Sequence, residues 1–220
     1  MNLNFIIANF NTIALVIWVI FLGVVVVRFT RPFWVRSIPY SWLVLGAVSL
    51  HLLYGIFATW GQYVVWSSNE FTKVFLSSAL SKEVPFPSLL EWVRPLFDGA
   101  NGYFAFYSFQ HFFLSTIALL FITGLFVLFF KMYAVYRPSL FGEGDIAVIA
   151  LAFLIAGWPG AIVLVPLSLA LAVFFAILTL LRPSFSNVSL PASFLLATPF
   201  ALFFAIPILT SLNLYLLLKL

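Results

Sequence analysis

Apolar residues run along this chain in long blocks, interrupted by short clusters of Arg, Pro and Gly. Blocks near twenty residues without charge are what a helix needs to cross about 30 Å of hydrocarbon. They predict spans at about 12–27, 40–59 and 109–130, a hairpin over 146–181 and a closing span over 190–218. The fold class expected is therefore all-α, a polytopic membrane protein with about six transmembrane helices.

The hairpin follows from length. Residues 146–181 carry no charged side chain, and as one helix at about 1.5 Å per residue they would reach well beyond the hydrocarbon core. They must fold back, and Trp158-Pro159-Gly160 is the place: proline stops a helix and glycine supplies turn geometry. This sets Gly142-Glu143-Gly144-Asp145 at the mouth of the hairpin. A carboxylate at a helix start is favoured by free backbone N–H groups and the dipole, so Asp145 reads as a plain N-cap. It reads equally as a functional acid, because ionisable groups in membrane segments are expensive to keep and the flanking glycines permit close backbone approach.

The loops give a topology. Residues 1–11 lack the basic front of a secretory signal, so the first apolar block reads as a retained span. It ends in Arg28, Arg31-Pro32 and Arg36, the most basic stretch, which the positive-inside rule assigns to the cytoplasm, leaving the N-terminus outside. The next span starts behind Ile38-Pro39 and holds His51, either a proton relay or a histidine bonded to a neighbouring helix. Residues 61–102 form the one long polar stretch, an extracytoplasmic insertion between spans two and three. Its pieces 71–80 and 89–97 are amphipathic, with Trp60, Tyr63, Trp66 and Trp92 as headgroup anchors, before a turn over 98–102. In the last span Pro191, Pro199 and Pro207 should kink rather than end the helix. On this path the inner loops hold Arg28, Arg31, Arg36, Lys131, Arg137 and Arg182 against Glu143 and Asp145. The outer segments balance four basic residues (Lys73, Lys82, Arg94, Lys219) with the other four acids. The Asn187-Val188-Ser189 sequon then lies inside and carries no meaning.

Composition adds exclusions. At 65% hydrophobic and 7% charged, the chain cannot be a soluble domain, and one membrane domain over 1–220 is expected, with the lipid bilayer as its partner. The net charge of +4 is spread too thinly to track phosphates, so no nucleic acid is expected. There is no cysteine, and His51 and His111 stand alone. No cofactor and no metal centre is expected.

Three stretches resemble the type IV prepilin peptidases and preflagellin peptidases, membrane aspartyl proteases with a Gly-x-Gly-Asp motif. They are Arg36-Ser37-Ile38-Pro39-Tyr40-Ser41-Trp42-Leu43, then Gly142-Glu143-Gly144-Asp145 with its apolar run through Gly157-Trp158-Pro159-Gly160-Ala161, and Leu190-Pro191-Ala192-Ser193-Phe194-Leu195. The resemblance implies an intramembrane aspartyl endopeptidase fold in the inner (cytoplasmic) membrane. Asp145 would be one catalytic aspartate at the cytoplasmic face, and Gly142, Gly144, Pro39, Pro159, Gly160 and Pro191 structural positions of the motif. Prepilin-like N-terminal helices or other membrane subunits would be its partners. Two carboxylates are needed there, one activating water as a base while the other protonates the carbonyl, their pKa values split by mutual repulsion.

The family's first aspartate stands six residues before Ile-Pro, and here that residue is Pro32. No Asp or Glu occurs before Glu70. Three readings follow. The chain is a catalytically degenerate peptidase scaffold; or an active peptidase pairing Asp145 with a non-standard partner such as Glu143 or a reoriented Asp98; or an unrelated small membrane subunit or transporter whose pathway is lined by His51 and His111.

Overall fold

The computed structural model describes residues 8–33, 37–81, 84, 88–138, 141–142, 144–181 and 189–218. Among them all regular structure is helical: α1 Phe10–Thr30, α2 Tyr40–Ser67, α3 Glu70–Leu76, a 3₁₀ segment Ser88–Phe97, α4 Gly102–Ser108, a π turn Phe109–Phe113, α5 Leu114–Tyr136, α6 Asp145–Ala156, α7 Gly160–Leu181, α8 Leu190–Ser211 and α9 Tyr215–Leu218. α4, the π turn and α5 make one rod, Gly102–Tyr136. All six apolar segments fold as helices. Five (α1, α2, the rod, α7 and α8) are long and apolar enough to cross a membrane. The sixth, α6, has 12 residues, about 18 Å of helix against about 30 Å of hydrocarbon. The chain is an all-α polytopic membrane protein.

Helix ends overrun the apolar blocks. α2 continues to Ser67 and the rod begins at Gly102, because Gln, Tyr and Trp mark the headgroup zone without breaking the backbone ladder. The hairpin does break where expected: α6 ends at Gly157, whose φ is +67°, and the Trp158–Pro159 peptide is cis before α7 starts at Gly160. α8 runs on through Pro199 and Pro207. It ends in a Schellman motif: Asn213 takes φ +57°, Leu214 N–H reaches back to the Leu209 carbonyl at 2.9 Å, and Asn213 N–H to that of Thr210 at 3.0 Å.

The chain divides into two compact units, one holding Met1–Leu50 and Thr116–Lys219, the other His51–Ser115 with Leu220. α6 is the axis of the first. Every residue from Val148 through Ala156 is buried, as a helix that is apolar all round requires. Leu22 and Val25 of α1, Leu43 and Ala47 of α2, Leu119 and Phe130 of α5, and Phe194 and Ala197 of α8 share its cluster. Phe153 lies 4.7 Å from Phe126 and 5.8 Å from Phe194 between ring centroids. Lipid is as apolar as these rings, so the gain comes from close packing rather than from escape from water. α7 and α8 meet through small residues: a Cβ on Gly160 would lie 3.5 Å from the Ala201 carbonyl and 3.7 Å from Ala205.

The second unit is bound by aromatic rings. Trp66 stands 4.8 Å from Tyr107, 5.4 Å from Phe104 and 6.0 Å from Phe75. Asn69 caps α3 by accepting from Phe71 N–H at 3.0 Å. Thr72 Oγ1 donates to the Trp66 carbonyl at 2.9 Å, and Tyr103 N–H to that of Ser78 at 3.1 Å. The expected amphipathic pieces are α3 and the 3₁₀ segment. Their ion pairs, Glu91–Arg94 at 3.1 Å and Glu70–Lys73 at 4.0 Å, are partly or largely exposed and add little stability. Gly102 is required, since a Cβ there would overlap the Phe97 carbonyl.

Candidate functional site

The start of α6 is built by its own motif. Gly144 is the N-cap and takes φ +88°, a left-handed conformation suited to glycine. Its carbonyl accepts the first helical bond, from Val148 N–H at 3.0 Å. Asp145 turns its carboxylate back, and Oδ2 accepts from Gly142 N–H at 2.8 Å, while Asp145 N–H reaches the Gly142 carbonyl at 3.3 Å. The two residues thus close a small ring at the positive end of the helix, where the dipole favours the anion. Phe141 anchors the motif from upstream, 5.9 Å from Phe130 and 6.2 Å from Tyr133.

Tyr40 comes from the other end of the sequence to the same place. A Cβ on Gly144 would lie 2.6 Å from the Tyr40 ring, so the ring rests directly on the glycine backbone. Above the ring, 4.9 Å from its centroid, is the Arg28 guanidinium, a cation–π arrangement. Arg28 also ties the α1–α2 connection together: Nε donates to the Ile38 carbonyl at 3.1 Å and a terminal nitrogen to the Pro32 carbonyl at 3.5 Å. Pro39 is the acceptor that opens α2, taking bonds from Trp42 N–H at 3.1 Å and Leu43 N–H at 3.4 Å.

The structure therefore brings together Pro32, Pro39, Gly142, Gly144 and Asp145, with Arg28 and Tyr40 between the two stretches. Among the described residues it does not bring a second carboxylate. Pro32 is exposed, and Asp145 is the sole acid among the described residues of its unit; Asp98 belongs to the other unit. Glu143, Arg36, Arg182, Lys219 and the Lys82–Glu83 and Asn187–Val188 pairs lie outside the described residues. Neither Arg28 nor Arg31 forms an ion pair with Asp145; the carboxylate is held by backbone. Pro159, Gly160 and Pro191 sit away from the motif in sequence and shape helix ends: Pro159 and Gly160 make the α6–α7 turn, and Pro191 lies in the first turn of α8.

Of the two histidines, His111 is committed to its own helix, with Nδ1 3.0 Å from the Tyr107 carbonyl and its ring stacked 4.0 Å from Tyr107. His51 lies mid-helix in α2 and is partly buried. No group of three or more His, Cys, Asp or Glu able to hold a metal occurs among the described residues. From the sequence Arg28, like Arg31 and Arg36, reads as a candidate ion-pair partner of Asp145; the structure instead sets it on the Tyr40 ring and the Ile38 and Pro32 carbonyls. Tyr40 is the part of the site that sequence reasoning missed, and its available signal was an aromatic directly after Ile38-Pro39. No family model, curated protein or solved structure matches this chain.

Proposed function

We propose that this chain is a membrane scaffold of the prepilin-peptidase plan that has lost the two-carboxylate chemistry. In this reading it retains the site to bind prepilin-like N-terminal helices or to hold a membrane complex together. The observation that carries the reading is the seat of Tyr40 against Gly144. Two stretches about a hundred residues apart, both of which carry the same resemblance, meet at one helix start. The residue in the position of the missing aspartate, Pro32, is tied into that corner through Arg28. A lone Asp145 can act as base or as acid but not as both in one step, so water attack and carbonyl protonation lack one partner. In the proposed orientation the N-terminus is outside, and the start of α6 faces the cytoplasm beside Arg28, Arg31, Lys131 and Arg137, following the positive-inside rule.

Cleavage of a prepilin-like reporter by the purified chain in lipid tests this. The native chain and Asp145→Asn should both leave the reporter intact yet pull it down, and Pro32→Asp should gain cleavage. Cleavage by the native chain that disappears in Asp145→Asn would instead establish an active peptidase whose second carboxylate comes from Glu143 or from another chain.

A further inference from the structure

We infer that Thr59 and Ser108 hold one water molecule between α2 and the α4–α5 rod, a polar seat inside an otherwise aromatic interface. Three contacts set the register of the two elements. Gly55 faces Phe113, whose ring would lie 2.8 Å from a Cβ on the glycine; Tyr63 meets Phe104 at 5.9 Å, and Trp66 stacks on Tyr103 at 6.3 Å. The α2 numbers rise as the rod numbers fall, so the pair is antiparallel, and the level midway between the first two contacts holds Thr59 and Ser108.

Both residues lie on the facing sides. Along α2, Gly55, Thr59 and Tyr63 recur every four residues, which keeps them on one face. Along the rod Phe104 and Ser108 are four apart, but the next residue on that face is Phe113, five further on. The π turn accounts for the extra residue: Leu114 N–H bonds to the Phe109 carbonyl five positions back, and the wider turn carries i+5 to where i+4 would stand. The insertion therefore keeps Ser108 and Phe113 in line against α2.

The two hydroxyls are buried, Ser108 at 4% exposure, and neither Oγ finds a hydrogen-bond partner among the described residues. Thr30, Thr179 and Thr198 bond the carbonyl four residues back, whereas Thr123 and Ser193 share the unpartnered state but lie apart from this pair. Phe113 packs on Gly55 on one side of this level and Tyr63 meets Phe104 on the other, and no direct bond joins the two hydroxyls. Buried hydroxyls are bonded as a rule, to protein or to water, and a buried water needs two or more polar partners. Thr59 and Ser108 supply two at one level. Water is close at hand, because Thr59 adjoins Trp60 and lies within two turns of Tyr63 and Trp66, residues of the kind that mark the headgroup boundary.

A structure of the full chain in lipid, at a resolution that shows ordered waters, tests the seat. A density peak about 2.7–3.2 Å from both Oγ atoms is expected; hydroxyls rotated onto their own helix carbonyls, or bonded directly to each other, overturn the inference. Thr59→Val, Ser108→Ala and the double variant give a second reading by thermal unfolding in nanodiscs. Each single variant should lower Tm, and the double no further than the worse single, because losing either hydroxyl releases the same water. Additive losses, or no loss in any variant, overturn it, and the density of the native chain decides should a variant fail to fold.

Discussion

Gly144 is constrained twice, by φ +88° and by the Tyr40 ring that occupies the space of a side chain. Gly144→Ala should therefore cost about 1–2 kcal/mol from the left-handed backbone alone, plus the displacement of the ring. Adding Tyr40→Ala should recover the second part and not the first, a difference readable in thermal unfolding of the protein in detergent. Gly142 differs: a Cβ there would meet Asp145 Oδ2 at 3.6 Å, ordinary contact, so its role in the observed fold is the N–H it donates. Asp145→Asn keeps an oxygen acceptor for that N–H and should fold with unchanged yield. Asp145→Ala loses the bond and should cost about 1 kcal/mol. A large loss of yield in Asp145→Asn would mean that the negative charge itself holds the corner.

At the scale of elements, α6 depends on its neighbours for its position, because it is too short to cross the membrane and buried along its length. The α7–α8 contact that encloses it tolerates a methyl and nothing much larger. Gly160→Ala places a Cβ at 3.5 to 3.7 Å from Ala201, Ala156 and Ala205 and should be close to neutral, while Gly160→Leu should destabilise by about 1–3 kcal/mol through overpacking. Equal tolerance of both would show that the helices separate easily. The hairpin end has its own tie, Trp158 Nε1 donating to the Leu218 carbonyl at 2.8 Å. Tyr215 and Leu218 pack beside Val163, Ala205 and Leu209. Trp158→Phe keeps the packing and removes the bond, about 1 kcal/mol, so hydrogen exchange at Leu217 and Leu218 should speed up with little change in global Tm.

For the whole molecule the proposed orientation makes a clean prediction, since the chain contains no cysteine. Asp98→Cys should react with a membrane-impermeant maleimide in intact spheroplasts, and Arg31→Cys only after lysis. The reverse pattern would invert the orientation and, with it, the proposed cytoplasmic site at Asp145.

The sequence by itself determined the membrane class, the number of apolar segments, the break at Trp158-Pro159-Gly160 and the helix start at Asp145. Each of these follows from local rules: charge-free length, proline and glycine at turns, a carboxylate at a positive helix end. Helix ends were less legible, as α2 and the rod show, because apolar blocks mark where hydrocarbon lies and not where the backbone ladder stops. Only the tertiary structure decided that α6 is the enclosed axis, although its composition is no more apolar than that of α7, which keeps an exposed face. It also decided that Arg28 and Tyr40 close over Gly144, and that a π turn aligns Ser108 with Thr59. These depend on which surfaces meet across long sequence separations, and in lipid that choice rests on shape and on small residues rather than on hydrophobicity, which is nearly uniform along these helices.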